Sequence, residues 1–296
     1  MRAVFRWGIL DRVTGRRRVR PAGPPAPRVE PNLRLIRGSN GPTRLTWVGH
    51  ASFLGTIGGA HFLIDPVFSE RVAWVVRRRA PAGLLPDTLP ELDALLITHG
   101  HFDHLDEPSV LALPRDLQVF VPLGLGRWFR RRGFARVQEL DWWESSETSR
   151  LRITFVPARH WHRRSVTDVN QALWGGFVVE GDGGSVYHAG DSAWFDGFAE
   201  IGRRFPGLDA AMLPIGSYSP AWFMQHYHLS PEQAGRAFLE LGARTFVPMH
   251  WGTLKLTDEP LSEPADRVRS WWKQCETPQG RELRRPAIGQ TVVLDG

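Results

Sequence analysis

Cysteine is almost absent from this 296-residue chain, in which Cys275 is the single example. One thiol excludes an intrachain disulfide and any zinc site built from several cysteines. Long apolar runs are absent as well, since no segment approaches the roughly 20 residues that a transmembrane helix needs. The apolar residues near the amino terminus are interrupted at Arg6, before a secretory signal of ordinary length could form. These absences favour a cytoplasmic protein.

Lysine is also scarce, because all of the 37 basic residues except Lys255 and Lys273 are arginine. The basic residues outnumber the 31 acidic ones and give a net charge of +6. This balance suits anionic partners, either phospholipid or nucleic acid, and it equally suits a solvated arginine-rich surface. We expect no nucleic-acid partner, because aromatic and basic residues do not interleave as in a stacking platform. Peripheral contact with the inner face of a membrane and oligomerisation both stay open.

The first 41 residues are rich in arginine and proline, which predicts a flexible amino-terminal segment. Within it, Arg16 to Arg20 could hold anionic lipid at about 1 kcal/mol per charge near a membrane surface. Residues 42–296 are predicted to form one domain, because the candidate ligands described below extend from His99 to His250. The hydrophobic content of 42% is that of a globular protein.

Short β-type runs alternate with helical runs over most of this domain. Strands are predicted at residues 44–48, 51–55, 61–65, 94–97, 118–121, 137–140, 151–156, 173–179, 185–189, 210–214 and 245–247. Helices are predicted at residues 107–113, 125–132, 198–205 and 231–241. Gly58 and Gly59 indicate a hairpin turn, and residues 67–92 are predicted to form a surface excursion. The alternation favours an α/β fold whose helices cover a sheet.

Three histidines and an aspartate follow the apolar run at residues 94–97 within six positions. Residues two apart on an extended segment point the same way, so His99 and His101 can reach one cation. Asp103 and His104 come after the chain has turned and can face a second cation. Imidazole and carboxylate without thiolate suit Zn²⁺, with Fe or Mn as alternatives. The competing interpretation is a cluster of surface histidines on a polar loop.

The spacing His-x-His-x-Asp-His resembles the signature of the metallo-β-lactamase superfamily. Four further motifs, in order along the chain, resemble the N-acylphosphatidylethanolamine-hydrolysing phospholipases D of that superfamily. They are residues 121–125, 139–144, 213–218 and 250–253. The similarity covers roughly residues 43 to 265. It implies an αββα sandwich with two divalent metal ions, most simply Zn²⁺, at the strand ends between the sheets.

The resemblance also implies a set of metal ligands. His99, His101 and His160 would hold one metal, and Asp103, His104 and His250 the other. Asp191 would bridge the two metals through its two oxygens. Asp65 would orient a ligand imidazole through the free N–H of that ring.

Three other histidines are weighed against this set. His162 competes with His160 for the first metal, and the match to the family favours His160. His50 and His188 are interpreted as packed, hydrogen-bonded histidines of the strands.

The implied chemistry is hydrolysis of a phosphodiester. A hydroxide that bridges two metals would attack phosphorus, Asp103 would aim it, and His228 would polarise the phosphate or protonate the leaving oxygen. Residues 217–228 carry aromatic residues and methionine, which suit acyl chains, although packing in the core is the commoner role of such residues. The implied reaction converts N-acylphosphatidylethanolamine to N-acylethanolamine and phosphatidic acid.

Two rival functions are carried forward. One is another hydrolase of the same fold, such as a lactonase or a nuclease, because residues 192–194 after Asp191 differ from the residues usual at these positions in the phospholipases. The other is a metal-binding or membrane-scaffold protein without activity. A complete ligand set argues against that second rival, because structural zinc sites are closed and four-coordinate.

Overall fold

Two seven-stranded β-sheets pack face to face in the computed structural model, which describes residues 6, 7, 14, 20–38, 41–276 and 278–294. The strands of the first sheet are β1 Arg44–Gly49, β2 Ser52–Ile57, β3 Ala60–Ile64, β6 Ala94–Leu96, β7 Val119–Pro122, β8 Val137–Leu140 and β16 Thr291–Val293. Those of the second sheet are β9 Ser145–Glu147, β10 Leu151–Pro157, β11 Gly175–Gly181, β12 Gly184–His188, β13 Ala210–Pro214, β14 Thr245–Met249 and β15 Glu282–Leu283. A separate hairpin is formed by β4 Arg71–Val72 and β5 Val76–Arg77.

The α-helices of the described ranges lie mainly on the outer faces of the two sheets. They are α1 Leu33–Arg37, α2 Glu107–Leu111, α3 Gly126–Arg130, α4 Gly197–Arg204, α5 Ala221–Met224, α6 Pro231–Leu241 and α7 Glu263–Gln274. Buried side chains of α1, α2 and α3 pack on the first sheet, and those of α4, α6 and α7 belong to a core shared with the second sheet. The predicted αββα sandwich is thus confirmed. None of the helices in the described ranges combines the length and the apolar character that crossing a bilayer requires.

Parallel pairing brings several strand ends to one edge of the sandwich. In the first sheet β3, β6, β7 and β8 run parallel, after an antiparallel meander from β1 to β3 that turns at Gly58 and Gly59 as predicted. In the second sheet β12, β13 and β14 run parallel. Residues that follow these strands therefore meet at the carboxyl edge of both sheets.

The interior of the sandwich explains why the central strands are apolar along their whole length. Every residue of β1, β2 and β3 is buried, because one face of the sheet meets the other sheet and the opposite face lies under helices. Trp47 and Phe53 enter the interior from the first sheet and Phe155 and Phe177 from the second. All four side chains are fully buried. The common core fixes the two sheets against each other.

Residues 20–38 pack on the domain, which differs from the flexible segment predicted over residues 1–41. The backbone N–H of Ala26 donates to the carbonyl of Gly252 at 2.9 Å, and the side chains of Ala26 and Ile36 are buried. Apolar side chains spaced between arginines and prolines give this segment enough burial to dock.

The arginine-rich runs have different environments. Residues 16–19 lie outside the described part of the chain, whereas Arg20 forms an ion pair with Glu263 at 2.5 Å. Residues 67–92 were predicted to lie at the surface, but Arg78 within them is buried and donates to a backbone carbonyl. Long arginine stems can cover apolar surface, so a run of arginines does not by itself indicate exposure.

The shared core gives the first testable prediction. Phe177→Ala should lower the free energy of unfolding by about 3–5 kcal/mol, because the ring packs 5.1 Å from the ring of Phe155 in the closed interior. Val293→Ala, at an exposed position of the edge strand β16, should change it by less than about 0.5 kcal/mol. Chemical denaturation measures both values, and equal losses would contradict the placement of Phe177.

Candidate metal centre

Strand ends deliver the candidate ligands to one point. His99, His101, Asp103 and His104 follow β6, His160 follows β10, Asp191 follows β12 and His250 follows β14. All seven residues predicted from the sequence are brought together here.

Backbone conformation at these turns is unusual. His50, Asp65 and His250 all have positive φ angles, between 45° and 62°. Residues other than glycine rarely adopt this backbone conformation. Gly190 has φ 60°, and a Cβ there would lie 2.4 Å from a backbone oxygen of Gly175. Such conformations persist only where the surrounding structure enforces them, and they cluster at functional sites.

The first cluster consists of His99, His101, His160 and Asp191, whose ligand atoms all lie within 4.8 Å of one another. Nδ1 of His101 lies 3.0 Å from Nε2 of His99 and 3.1 Å from Nε2 of His160. Asp191 Oδ2 lies 3.9 Å and 3.8 Å from those same Nε2 atoms of His99 and His160. Three nitrogens and one oxygen therefore surround a single point, which is a donor set that suits Zn²⁺.

The second cluster adjoins the first through the same carboxylate. His104 Nε2 lies 3.2 Å from Asp191 Oδ2, and His250 Nε2 lies 3.2 Å from Asp191 Oδ1. Asp103 Oδ2 lies 3.8 Å from His104 Nε2 and 3.4 Å from His250 Nε2. Asp191 thus faces histidines of both clusters, as the two-metal prediction requires.

Several atoms of these clusters are buried without a hydrogen bond of good geometry. They are His101 Nε2, His104 Nε2, Asp191 Oδ1, His250 Nδ1 and His250 Nε2. A buried polar atom without a partner costs about 1–3 kcal/mol. Three of these atoms, His104 Nε2, His250 Nε2 and Asp191 Oδ1, face one another at the shared carboxylate and would be hard to sustain without a ligand. The donor set therefore fits divalent cations.

Protein oxygens fix the second nitrogen of the imidazoles. Asp65 Oδ2 lies 2.7 Å from Nδ1 of His104, as the prediction for Asp65 requires, and it also accepts from the hydroxyl of Thr98. The carbonyl of Tyr227 lies 2.9 Å from Nδ1 of His160. Because these oxygens accept hydrogen bonds from the Nδ1–H groups, the Nε2 lone pairs of His104 and His160 point into the clusters.

His50 has a larger role than the packed histidine predicted from the sequence. Its Nε2 lies 3.0 Å from Asp103 Oδ2, and its ring centroid lies 4.0 Å from that of His250. His50 therefore borders the second cluster and holds the carboxylate of Asp103. Its position between two strands gave no sign of this contact, because the turn that carries it meets the ligand loop only in the folded chain.

Of the other histidines, His162 and His188 lie outside the two clusters, whereas His228 adjoins Asp191. His162 packs on Gly100, and its Nδ1 accepts a hydrogen bond from the backbone N–H of Gly100 at 3.2 Å. Its ring therefore contacts the backbone of the ligand loop. His188 is buried in β12 with Nε2 2.8 Å from the carbonyl of Ala51. His228 is the exception, because its Nδ1 lies 3.9 Å from Asp191 Oδ2.

Charges and burial divide the histidines into two groups. Burial lowers the pKa of His160 to about 4 and the pKa of His228 to about 3. Burial also opposes protonation of His250, but the charges of Asp191 and Asp103 outweigh it and raise the pKa of His250 to about 9. His160 and His228 are therefore neutral imidazoles at pH 7, whereas a proton competes with a cation for His250.

A cavity of 580 Å³ opens onto the clusters. Its floor contains His101, Asp103, Asp191, His228 and His250. Its wall is largely apolar and is lined by Trp7, Val72, Val76, Phe102, Trp161, Phe223, Met224, Tyr227 and Leu256. The part of this wall within residues 217–228 was predicted from the sequence, whereas the contribution of Trp7 was not.

Residues 60–251 match the model of the β-lactamase superfamily domain. The chain belongs to this superfamily. It is 35% identical over 242 residues to an N-acyl-phosphatidylethanolamine-hydrolyzing phospholipase D of Caenorhabditis elegans, an alignment that covers 76% of this chain and 68% of the relative. The resemblance seen in the sequence is therefore confirmed.

Other members of the β-lactamase superfamily are also similar. A UPF0173 metal-dependent hydrolase of Koribacter versatilis is 33% identical, over 73% of this chain and 88% of the relative. A solved metallo hydrolase from Ignicoccus hospitalis shares the fold with a TM-score of 0.65 at 24% identity, over 86% of this chain and all of that one. With its histidine and aspartate clusters, the chain is a metal-dependent hydrolase of the superfamily.

Arg164 braces the ligand loop of this superfamily member, a role that the sequence did not reveal. Its guanidinium donates to the carbonyl of Gly100 at 2.9 Å and to the carbonyl of Leu105 at 2.7 Å. The same group lies 4.5 Å from the ring centroid of Phe102. The two carbonyls flank His101, Asp103 and His104, so the arginine holds both ends of the segment that carries these three candidate ligands.

Removing this brace should weaken metal binding. Arg164→Met should lower metal affinity about 10- to 100-fold, because groups that orient ligands have effects of this size, while Arg131→Met at an exposed position should leave it unchanged. Competition with a chelator measures the affinity, and thermal unfolding of both variants reports general damage. Unaltered affinity in Arg164→Met would contradict the bracing role.

Metal binding should also release protons. Because the raised pKa of His250 keeps its ring protonated at pH 7, a cation must displace that proton, and affinity should rise with pH until about pH 9 is passed. Calorimetry in buffers of different ionisation enthalpy counts the protons released. Release should be about one proton or more at pH 7 and smaller at pH 10, and no release at either pH would contradict the assignment of His250 as a ligand.

Proposed function

We propose that the chain hydrolyses the phosphodiester of N-acylphosphatidylethanolamine to N-acylethanolamine and phosphatidic acid. The observation that carries this proposal is that Asp191 lies beside histidines of both ligand clusters on the floor of an apolar-walled cavity. A site of this kind can place a charged phosphodiester on the clusters and its acyl chains on the wall. The similarity to a phospholipase of that name supports the choice of substrate.

Two divalent cations, with Zn²⁺ as the first choice, would occupy the two clusters. The first would be held by His99, His101 and His160, the second by Asp103, His104 and His250, with Asp191 between them. Bound there, such cations lower the pKa of water and offset negative charge on a phosphate. Fe and Mn accept the same nitrogen and oxygen donors.

Residues of the chain then orient the reactants. Asp103 reaches the second cluster and is held by His50, so its carboxylate is placed to accept a hydrogen bond from the attacking water. His228 lies on the cavity floor beside Asp191. Because burial lowers its pKa to about 3, His228 is suited to donate a hydrogen bond from a neutral ring to a phosphate oxygen, rather than to protonate the leaving group.

The cavity wall would receive the lipid. Trp161 and Tyr227 stand next to the first cluster, with the Trp161 ring 4.8 Å from the ring of His101. Phe223 and Met224 extend the apolar surface along the same wall. Burial of acyl methylenes on such a surface contributes about 0.8 kcal/mol each, which gives long chains an advantage over small soluble esters.

Lipid turnover with a matched pair of variants tests the proposal. Purified, metal-loaded protein should convert N-acylphosphatidylethanolamine to both products, as measured by mass spectrometry. Asp191→Asn should lower kcat/KM at least about a hundredfold, since it removes a shared ligand rather than a supporting group. Asp182→Asn, at an exposed turn between β11 and β12, should leave turnover unchanged.

Two outcomes would reject parts of this proposal. If the protein leaves the lipid intact but hydrolyses soluble lactones or small phosphodiesters, the assignment as a hydrolase is kept and the lipid substrate is rejected. Unchanged lipid turnover in Asp191→Asn would remove the two-cluster site as the origin of the activity.

A further inference from the structure

A small hairpin presents apolar side chains to solvent beside the cavity. Strands β4 and β5 pair through Arg71 with Arg77 and through Val72 with Val76. At its tip Trp74 is 76% exposed and the adjacent Val75 is 75% exposed. Packing within the fold of the chain does not explain exposure of this extent for a tryptophan and an adjacent valine.

The backbone of this tip is held in an unfavourable conformation. Ala73 and Trp74 have φ angles of 48° and 61°, and the N–H of Val75 donates to the carbonyl of Val72 at 3.2 Å. Positive φ at both central residues is the signature of a type I′ turn, which strongly prefers Asn-Gly. A tryptophan at such a position is costly, so an observed outlier here supports a hypothesis of function.

The hairpin borders the cavity together with other exposed apolar groups. Its residues Val72, Ala73 and Val76 line the cavity, and so does Val166, which is 76% exposed. Trp222, which is 44% exposed, lies beside the cavity residue Phe223. Apolar side chains thus stand around the opening through which the proposed substrate would enter.

Basic charge accompanies this apolar rim. The segment from Arg71 to Arg79 contains four arginines and no acidic residue. Arg71, Arg77 and Arg79 are exposed, and Arg71 lies opposite Arg77 in the hairpin ladder. Like charges placed directly opposite each other destabilise a strand pair, and an anionic surface in contact with both would offset that repulsion.

We infer that the tip of the β4–β5 hairpin inserts into the interface of an anionic phospholipid bilayer and docks the cavity mouth onto it. Trp74 and Val75 enter the region of headgroups and acyl chains, Arg71 and Arg77 contact anionic headgroups, and Val166 and Trp222 complete the rim. The inference deepens the proposed function, because it identifies the surface from which a lipid substrate would reach the metal centre. Bilayer binding tests this inference, and it is measured separately from lipid turnover.

Vesicle binding by the full chain is the direct test. The protein should bind phosphatidylcholine vesicles that contain phosphatidylglycerol and should bind pure phosphatidylcholine more weakly. Trp74→Ser combined with Val75→Ser should lower the partition coefficient about tenfold or more, because two apolar side chains lose their place in the interface. Val293→Ser is the matched control, since Val293 is 39% exposed and pairs with Arg44 at the opposite end of β1 from the metal centre.

A second variant separates docking from folding. Ala73→Asn combined with Trp74→Gly should relieve the strained turn and raise Tm. It should also weaken vesicle binding, by less than the serine pair because Val75 is retained. Loss of binding in a more stable protein cannot come from misfolding. The inference would be overturned if the wild-type protein does not bind anionic vesicles, or if all variants bind them equally well.

A fluorescent label locates the contact. An environment-sensitive fluorophore on Val75→Cys, in a Cys275→Ser background, should shift to the blue when anionic vesicles are added, whereas the same label on Val293→Cys should not shift. A shift at both positions or at neither would contradict the orientation. If binding fails while detergent-dispersed lipid is still hydrolysed, the docking surface is rejected and the proposed function survives.

Discussion

The carboxylate of Asp191 is the constraint on which the site depends. It is buried and lies 3.2 Å from a nitrogen of His104 on one side and 3.2 Å from a nitrogen of His250 on the other. Burial opposes its ionisation, yet the neighbouring histidines hold its pKa well below the usual range. A buried anion of this kind persists only with opposite charge beside it, and the arrangement matches the needs of two cations that share one ligand.

The fold supplies this arrangement through the polarity of its strands. Parallel strands in both sheets end at one edge, so short turns can carry ligands from distant parts of the chain to a common point. The turns are held in conformations that only a rigid frame enforces, with Gly190 against Gly175 and left-handed backbone at His50, Asp65 and His250. The closed core between the sheets is what makes that frame rigid.

Much of this could be predicted from the sequence, since apolar periodicity and motif spacing are local signals. The strands that the patterns predicted between Arg44 and Met249 lie close to their observed positions, and the ligand residues converge. The short strands β4, β5 and β9 were not predicted. Contacts between distant segments could not be predicted this way. The support of Asp103 by His50 and the bracing of the loop by Arg164 depend on which side chains meet after folding.

Elements that carry weak local signals were also missed. Helix α7 buries only Pro264, Ala265 and Val268, too few to give a helical period of apolar residues. The edge strands β15 and β16 contain two and three residues and gain their structure from pairing with distant strands. The amino-terminal segment docks through isolated apolar residues within an arginine- and proline-rich composition, where sequence favours a flexible tail.

The central claim is that two cations share the Asp191 carboxylate. A crystal structure of the protein purified with its metals, with anomalous scattering recorded at the absorption edges of zinc, iron and manganese, tests it most directly. The account predicts two anomalous peaks per chain, one within the cluster of His99, His101 and His160 and one within that of Asp103, His104 and His250. A single peak, or none with the same side chains in place, would contradict it.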